Sequence, residues 1–307
     1  MPISALNKAL LGKIETTPGT DAVPVPATDA VRLATASLTV DGAPIEYDVV
    51  KQTFGKMTGP YIGKQLQLDV EFYVRSGGGL GVLPDWAAIA HAAAHTVTSI
   101  LNTSVRLSPI TAVATRHTST FHFYEDGLLF KLVGAVCSSF SMDAPLDGLL
   151  KCKASIIAPF ATPTAAALPT GLVYQSSQPI RPRPADVVTD GGVALKIGSF
   201  AFDTSIAATV RQLIGGSDAL VTGRDHPKIT FTKDSLGTVA DYTRIQAVTG
   251  AAFSAVLGVA GNQITLTAPN AKYGSLKSSE NNTVEQRDVE LWLDETVGDD
   301  AYSIVIA

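Results

Sequence analysis

The stretch VRLATASLTVD, Val31 to Asp41, is written a second time as VALKIGSFAFD, Val193 to Asp203. Leu33 matches Leu195, Ser37 matches Ser199, Leu38 and Val40 match Phe200 and Phe202, and Asp41 matches Asp203. Further blocks follow in the same order at a spacing of about 160 residues, and ordered self-similarity of this kind marks a repeated structural unit. VKQTFG (Val50 to Gly55) returns as VRQLIG (Val210 to Gly215), and KQLQLDVEF returns as PKITFT. DWAAIAHAAAH from Asp85 and DYTRIQAV from Asp241 each offer an Asp as helix N-cap, an aromatic beside it and an Ile four positions on. NTSVRLSP parallels NQITLTAP, GAVCSS parallels GSLKSS, and LLKCKAS and DVELWLD close the two copies.

Alternating apolar residues dominate every block except the helices, so the fold class read from the chain is mainly β, with apolar positions such as Ile156, Ile157, Leu291 and Leu293 expected in the core. Each copy runs strand, long loop, strand, helix, strand, strand, strand. That order suggests a β-sandwich or tube-type sheet with one helix packed on it. The implied organisation is an N-terminal arm at 1–28, copy one at 29–160, a Pro, Ala and Thr-rich linker at 161–190 and copy two at 191–307. TRHTSTFHFYEDGLLFKL, about 115–132, reads as a hairpin added to copy one.

A hydrophobic content of 46% supplies a sizeable core, and a formal net charge of −5 argues against a protein that clamps nucleic acid by neutralising phosphates. Lys8 and Lys13 interrupt the opening segment, which does not resemble a secretory signal. No apolar run approaches membrane-spanning length. Two cysteines, Cys137 and Cys152, flank the turn DAPLDG on consecutive strands and are expected as buried, reduced thiols.

Motifs that carry chemistry fare poorly. HAAAH sets His91 and His95 one helical turn apart, a spacing that can share zinc, but Ala92 stands where a metalloprotease has its Glu base. A pair on the helix surface is the expectation, with His117 and His122 exposed or at a subunit contact. SGGGLG lacks the Lys-Ser/Thr of a phosphate loop and reads as a flexible loop. RPRPAD reads as a stiff linker. No Ser/His/Asp or paired-carboxylate arrangement stands out, so no enzyme and no cofactor is expected.

The opening LLGKIETTPGTDAVPVPATDAVRLATASLTVDG, then YDVVKQTFGKMTGPYIGKQLQLDVEFYV, then LPDWAAIAHAA resemble the major tail tube proteins of phages with long non-contractile tails. The resemblance extends over nearly the whole chain, which departs from one-domain members by carrying two copies. It implies a structural virion protein, assembled in the host cytoplasm and located in the tail, whose rings stack into a tube. The implied partners are further copies of itself, the tape-measure protein, and the tail terminator and distal tail proteins. DNA would pass through the lumen without specific binding, and no membrane is involved.

On the strand Lys64 to Phe72, the side carrying Gln65, Gln67, Asp69 and Glu71 is the candidate lumen face. The Thr/Pro/Gly-rich arm, with Ile14, Thr16, Pro18, Asp21, Pro24 and Pro26, is the candidate contact to the next ring, ordering only against another subunit. One-domain tube proteins form six-membered rings, so two domains per chain imply a homotrimer with pseudo-six-fold symmetry. The main alternative is an all-β surface-binding or adhesin module using Phe121, Phe123 and Tyr124 on an exposed hairpin. A third reading is a metal enzyme built on His91 and His95.

Overall fold

The computed structural model describes residues 7–47, 57–112, 117–125, 127–235, 239–281 and 283–307. The block Val50 to Gly55 lies outside them. Strands β1 (Lys8–Ile14), β2 (Ala30–Val31), β3 (Thr35–Tyr47) and β4 (Met57–Tyr73) lead to helix α1 (Ala87–Ala92). Then come β5 (His95–Ile100), β6 (Ser104–Pro109), β7 (Ser119–Glu125), β8 (Leu128–Pro145), β9 (Lys151–Pro159) and β10 (Thr164–Ala165). The later half runs β11 (Val187–Asp190), β12 (Val193–Leu195), β13 (Ile197–Asp203), β14 (Ile206–Leu213), β15 (Gly216–Arg224) and β16 (Lys228–Asp234). It ends with α2 (Ala240–Ala247), β17 (Ala251–Val259), β18 (Asn262–Asn281), β19 (Val284–Leu293) and β20 (Ser303–Ile306). The chain is mainly β, as its alternation predicts.

Two antiparallel quartets form one layer, in the orders β3-β4-β9-β8 and β13-β16-β19-β18. They are joined edge to edge, because β13 also pairs with the end of β8, Ser199 opposite Pro145 through Asp203 opposite Ser141. The result is a continuous eight-stranded sheet. Its inner face is apolar at every second position: Leu66, Leu68, Val70 and Phe72 are at most 2% exposed, and Cys152, Ala154 and Ile156 continue the same rows on β9.

β8 and β18 are long because each serves two layers. The first half of β8 pairs with β7, and the first half of β18 with β17 and β20, before each strand turns into the eight-stranded sheet. A glycine marks both bends. Gly134 holds φ +66°, and a Cβ on Gly274 would collide with the Trp292 indole. The second layer is completed by β1 on β7, and by the run β12-β11-β17-β18-β20-β6-β5.

The helices differ more than their sequences suggest. α1 starts after Trp86, and Asp85 accepts a hydrogen bond from the Arg32 amide instead of capping the helix. Its Ala87, Ala88, Ile89, Ala90 and Ala92 are all buried. α2 buries none of its residues. It is tied down by charge: Arg244 pairs with Asp190 at 2.6 Å, and Lys233 with Asp241 at 2.8 Å, around the Tyr273 hydroxyl. The connection between the halves is equally anchored. The Ile180 amide donates to Val74 O and its carbonyl accepts from Leu150 N, while Arg183 pairs with Asp186 and donates to Gly258 O.

Buried polar groups lock distant segments together. The Glu15 carboxylate, 7% exposed as a residue, accepts from Thr118 Oγ1, Thr120 Oγ1 and the amides of Gly134 and Gly19 at 2.6–2.7 Å. His95 is fully buried at the start of β5, beyond the end of α1, so it does not form a surface pair with His91 on the helix. Its Nδ1 donates to Ala90 O at 2.9 Å, so Nε2 accepts from the Tyr302 hydroxyl at 2.7 Å, and Arg224 donates to that hydroxyl in turn. Burial, with the Arg224 cation beside it, lowers the His95 pKa to about 3. Burial and the neighbouring His117 lower that of His91 to about 4, and burial pushes Tyr302 up to about 12.

Glu15→Ala leaves buried donors without an acceptor and should cost on the order of 3 kcal/mol in urea unfolding, with Glu15→Gln milder; a loss below about 1 kcal/mol would show the donors finding other partners. The histidines predict acid sensitivity. His91 and His95 stay neutral in the folded chain, down to about 4 and about 3, while the unfolded chain takes up protons around 6.5. Stability is therefore full above that value and should fall as pH drops below it, before carboxylates titrate. Urea midpoints between pH 8 and 5 check this, and His91→Gln should flatten the slope.

Candidate assembly surface

The side of the eight-stranded sheet opposite the core is polar. Rows of paired residues cross it: Thr35, Glu71, Lys153 and Ser141 lead on to Asp203, Lys228 and Trp292, and Asp143 leads to Ala201, Thr230, Glu290 and Ser275. Acidic groups are in excess here, with Asp41, Asp69, Glu71, Asp143, Asp203, Asp234, Asp288 and Glu290 against Lys151, Lys153, Lys228, Lys272 and Lys277. Lys153 lies 3.4 Å from Asp143 and 4.0 Å from Glu71, an exposed ladder of little stabilising worth. The later half of the face is a shallow trough of about 580 Å³ lined by Thr230, Thr232, Ser275, Lys277, Asp288 and Glu290.

Gln65, Gln67, Asp69 and Glu71 all lie on this face, with Asp69 exposed and the others half-buried. Gln65 Nε2 donates to Asp41 at 3.1 Å and Gln67 Nε2 to Asp69 at 3.2 Å. Ile157, opposite Gln67, belongs to the same face. Sequence places it in the main core; instead it and Val136 are covered by the β14-β15 hairpin through Ala208, Val210, Ala219 and Val221. The alternation of β9 carries no signal for this cover, which comes from a segment more than fifty residues later.

The sheet ends in two unpaired edges. Among the described residues β3 pairs with β4 alone, and the second half of β18, from Lys272 onward, with β19 alone. Such edges expose backbone donors and acceptors to any strand that fits. The edge β3 would use is the kind that β13 presents to β8.

The arm differs from its expectation. Ile14 is the last residue of β1, paired with Ser119. Asp21 binds His122 at 3.1 Å and Lys131 at 2.9 Å, and Lys131 and His122 hold its carboxyl below the usual range against the opposing effect of burial. The Ala22 amide donates to Thr120 Oγ1. Pro24 is buried, Pro26 half-buried, and Thr16 and Pro18 are exposed. The segment is thus ordered on its own chain, by partners about a hundred residues away that local composition does not reveal.

Other expected sites dissolve into the core. Phe121 and Phe123 are fully buried and Tyr124 half-buried, so the aromatic hairpin of the binding-module reading is not a displayed surface. His122 is buried rather than exposed. His91 Nε2 lies 3.1 Å from His117 Nδ1 and its Nδ1 3.3 Å from Ser119 Oγ. Among the described residues no group of three or more His, Cys, Asp or Glu is placed to hold a metal. Cys137 and Cys152 are buried and free, opposite Ile156 and Met142 respectively, and burial pushes both thiols up. Among the described residues no helix is long and apolar enough to cross a membrane.

The geometry is that of a wall segment: one polar face, one packed face and, among the described residues, two open strand edges. No curated protein matches the chain. A family model described as phage tail tube protein matches residues 5–286. The chain belongs to the phage tail tube protein family, structural components of virion tails.

Proposed function

We propose that this chain is a tandem pair of tube domains, 29–160 and 191–307, and that three chains close into a ring with pseudo-six-fold symmetry. The observation that carries the reading is the β8-β13 joint. Within one chain it shows how the last strand of one quartet accepts the first strand of the next. The same joint between chains would set β18 against β3 of a neighbour. Ser279 stands opposite Gln286 as Ser141 stands opposite Lys153, so Asp41 of the neighbour would face Ser279 as Asp203 faces Ser141. A head-to-tail contact of this kind closes only as a ring or continues as a filament.

In this reading the hairpin without a counterpart is β5-β6 and not the segment at about 115–132 that the sequence suggests, since β7 with the first half of β8 takes the place of β17 with the first half of β18. Where no hairpin covers it, the polar face lines the lumen. Its surplus of carboxylates repels phosphates, which suits a tube that holds a tape-measure protein and then conducts DNA. The exposed side of the arm at Thr16 and Pro18 contacts the next ring, and terminator and distal tail proteins meet the tube's ends. The role is structural and non-catalytic, performed in the virion tail after assembly in the host cytoplasm.

Rotational averaging of rings imaged by electron microscopy tests the arrangement. Three-fold density with alternating features is expected, the β5-β6 hairpin appearing three times. Strict six-fold density from six chains would overturn it.

A further inference from the structure

Both quartets send out a long excursion at the same point. Residues 42–64 leave between Asp41 and Gln65, and residues 204–227 between Asp203 and Lys228, which is 23 and 24 residues. The second excursion, β14-β15, folds back over the preceding quartet. It covers Val136 and Ile157, and Arg224 at its end donates to the Ala93 and Ala94 carbonyls that close α1. The first excursion continues the β3-β4 ladder outward, through register shifts at Gly42 and beyond Pro44. Among the described residues no quartet precedes it. Its Ile45, Tyr47, Met57, Tyr61 and Ile62 are each at least 40% exposed.

The mirror deficiency lies at the other end of the sheet. Among the described residues nothing folds over the last quartet: Ser275 and Glu290 occupy the rows of Val136 and Ile157, Trp292 is exposed beside them, and α2 buries no residue where α1 buries five. Val248, which closes α2, is 64% exposed. The molecule thus holds one complete pair, excursion and covered quartet, and the two halves of a second pair at opposite ends of the sheet.

We propose that the outer part of the β3-β4 ladder, residues 42–47 and 57–62, of one chain folds over β18, β19 and the end of α2 of the adjacent chain, repeating between copies the cover that β14-β15 makes within one. This rests on the ring reading above and adds a second, side-chain interface to its strand joint. The apolar surface of the hairpin supplies the contact, and Gly42 and Gly63, both at positive φ, let it bend away from the ladder.

Paired cysteines test this. Val136→Cys with Val221→Cys probes the existing cover within a chain, and Ser275→Cys with Tyr61→Cys probes its counterpart between chains; the buried Cys137 and Cys152 leave the parent chain as an uncrosslinked control. With a short bismaleimide, the first pair should close in monomer and ring alike. The second should yield covalent dimers and trimers in rings only. Rings visible by microscopy without such products, while the first pair closes, would overturn the inference and leave the ring reading intact; a parent chain that forms no rings would overturn both. Should the second double variant fail to assemble, amide exchange of the unmodified protein decides: protection of 57–62 and 240–247 should rise at least tenfold on assembly, and unchanged exchange would refute the cover.

Discussion

The edge pairing of β13 on β8 is the contact on which the architecture depends. It converts two quartets into one sheet, and everything on either side is arranged around that continuity. On the apolar side, Phe140, Met142 and Ala144 of β8 run into Phe200 and Phe202 of β13 within a single hydrophobic core. The seam is reinforced by the Thr204 amide and hydroxyl, which both donate to Phe140 O, and by Phe202 packing edge-on to Tyr302. Backbone pairing alone would be exchangeable with water; burial of the aromatic residues across the seam makes it permanent.

The seam also explains why the molecule tolerates a buried polar chain at its centre. Tyr302 comes from the far end of the sequence, His95 from the first half and Arg224 from the hairpin that crosses between them. Each satisfies a group that burial would otherwise penalise, and together they report whether the halves are docked. β20 adds a second seam, pairing with β18 on one edge and β6 on the other.

Much of this was legible beforehand. Strict alternation at Leu66, Leu68, Val70 and Phe72 identified the buried face, and the paired GAVCSS and GSLKSS blocks fall on the bends of β8 and β18. What escaped is long-range. Glu15 and Asp21 sit in a segment whose composition reads as unfolded, and their partners are Thr118, Thr120, His122 and Lys131. Ile157 looked like core because its neighbours are apolar, yet its face is set by register and its burial by a hairpin from the other half. The second helix matched the first in pattern but not in packing, since a pattern shows which side chains could be buried and not whether a neighbour is there to bury them.

A joint built inside one chain has a further consequence, which is one of mass action. A contact between separate molecules must be paid for in lost translational freedom and weakens on dilution, whereas the β8-β13 joint forms at an effective concentration set only by the tether between its halves. In a three-chain ring every second joint would be of this kind, so ring formation would scale with the third power of protein concentration where unlinked domains would need the sixth. Rings would then begin to form while the protein is still scarce.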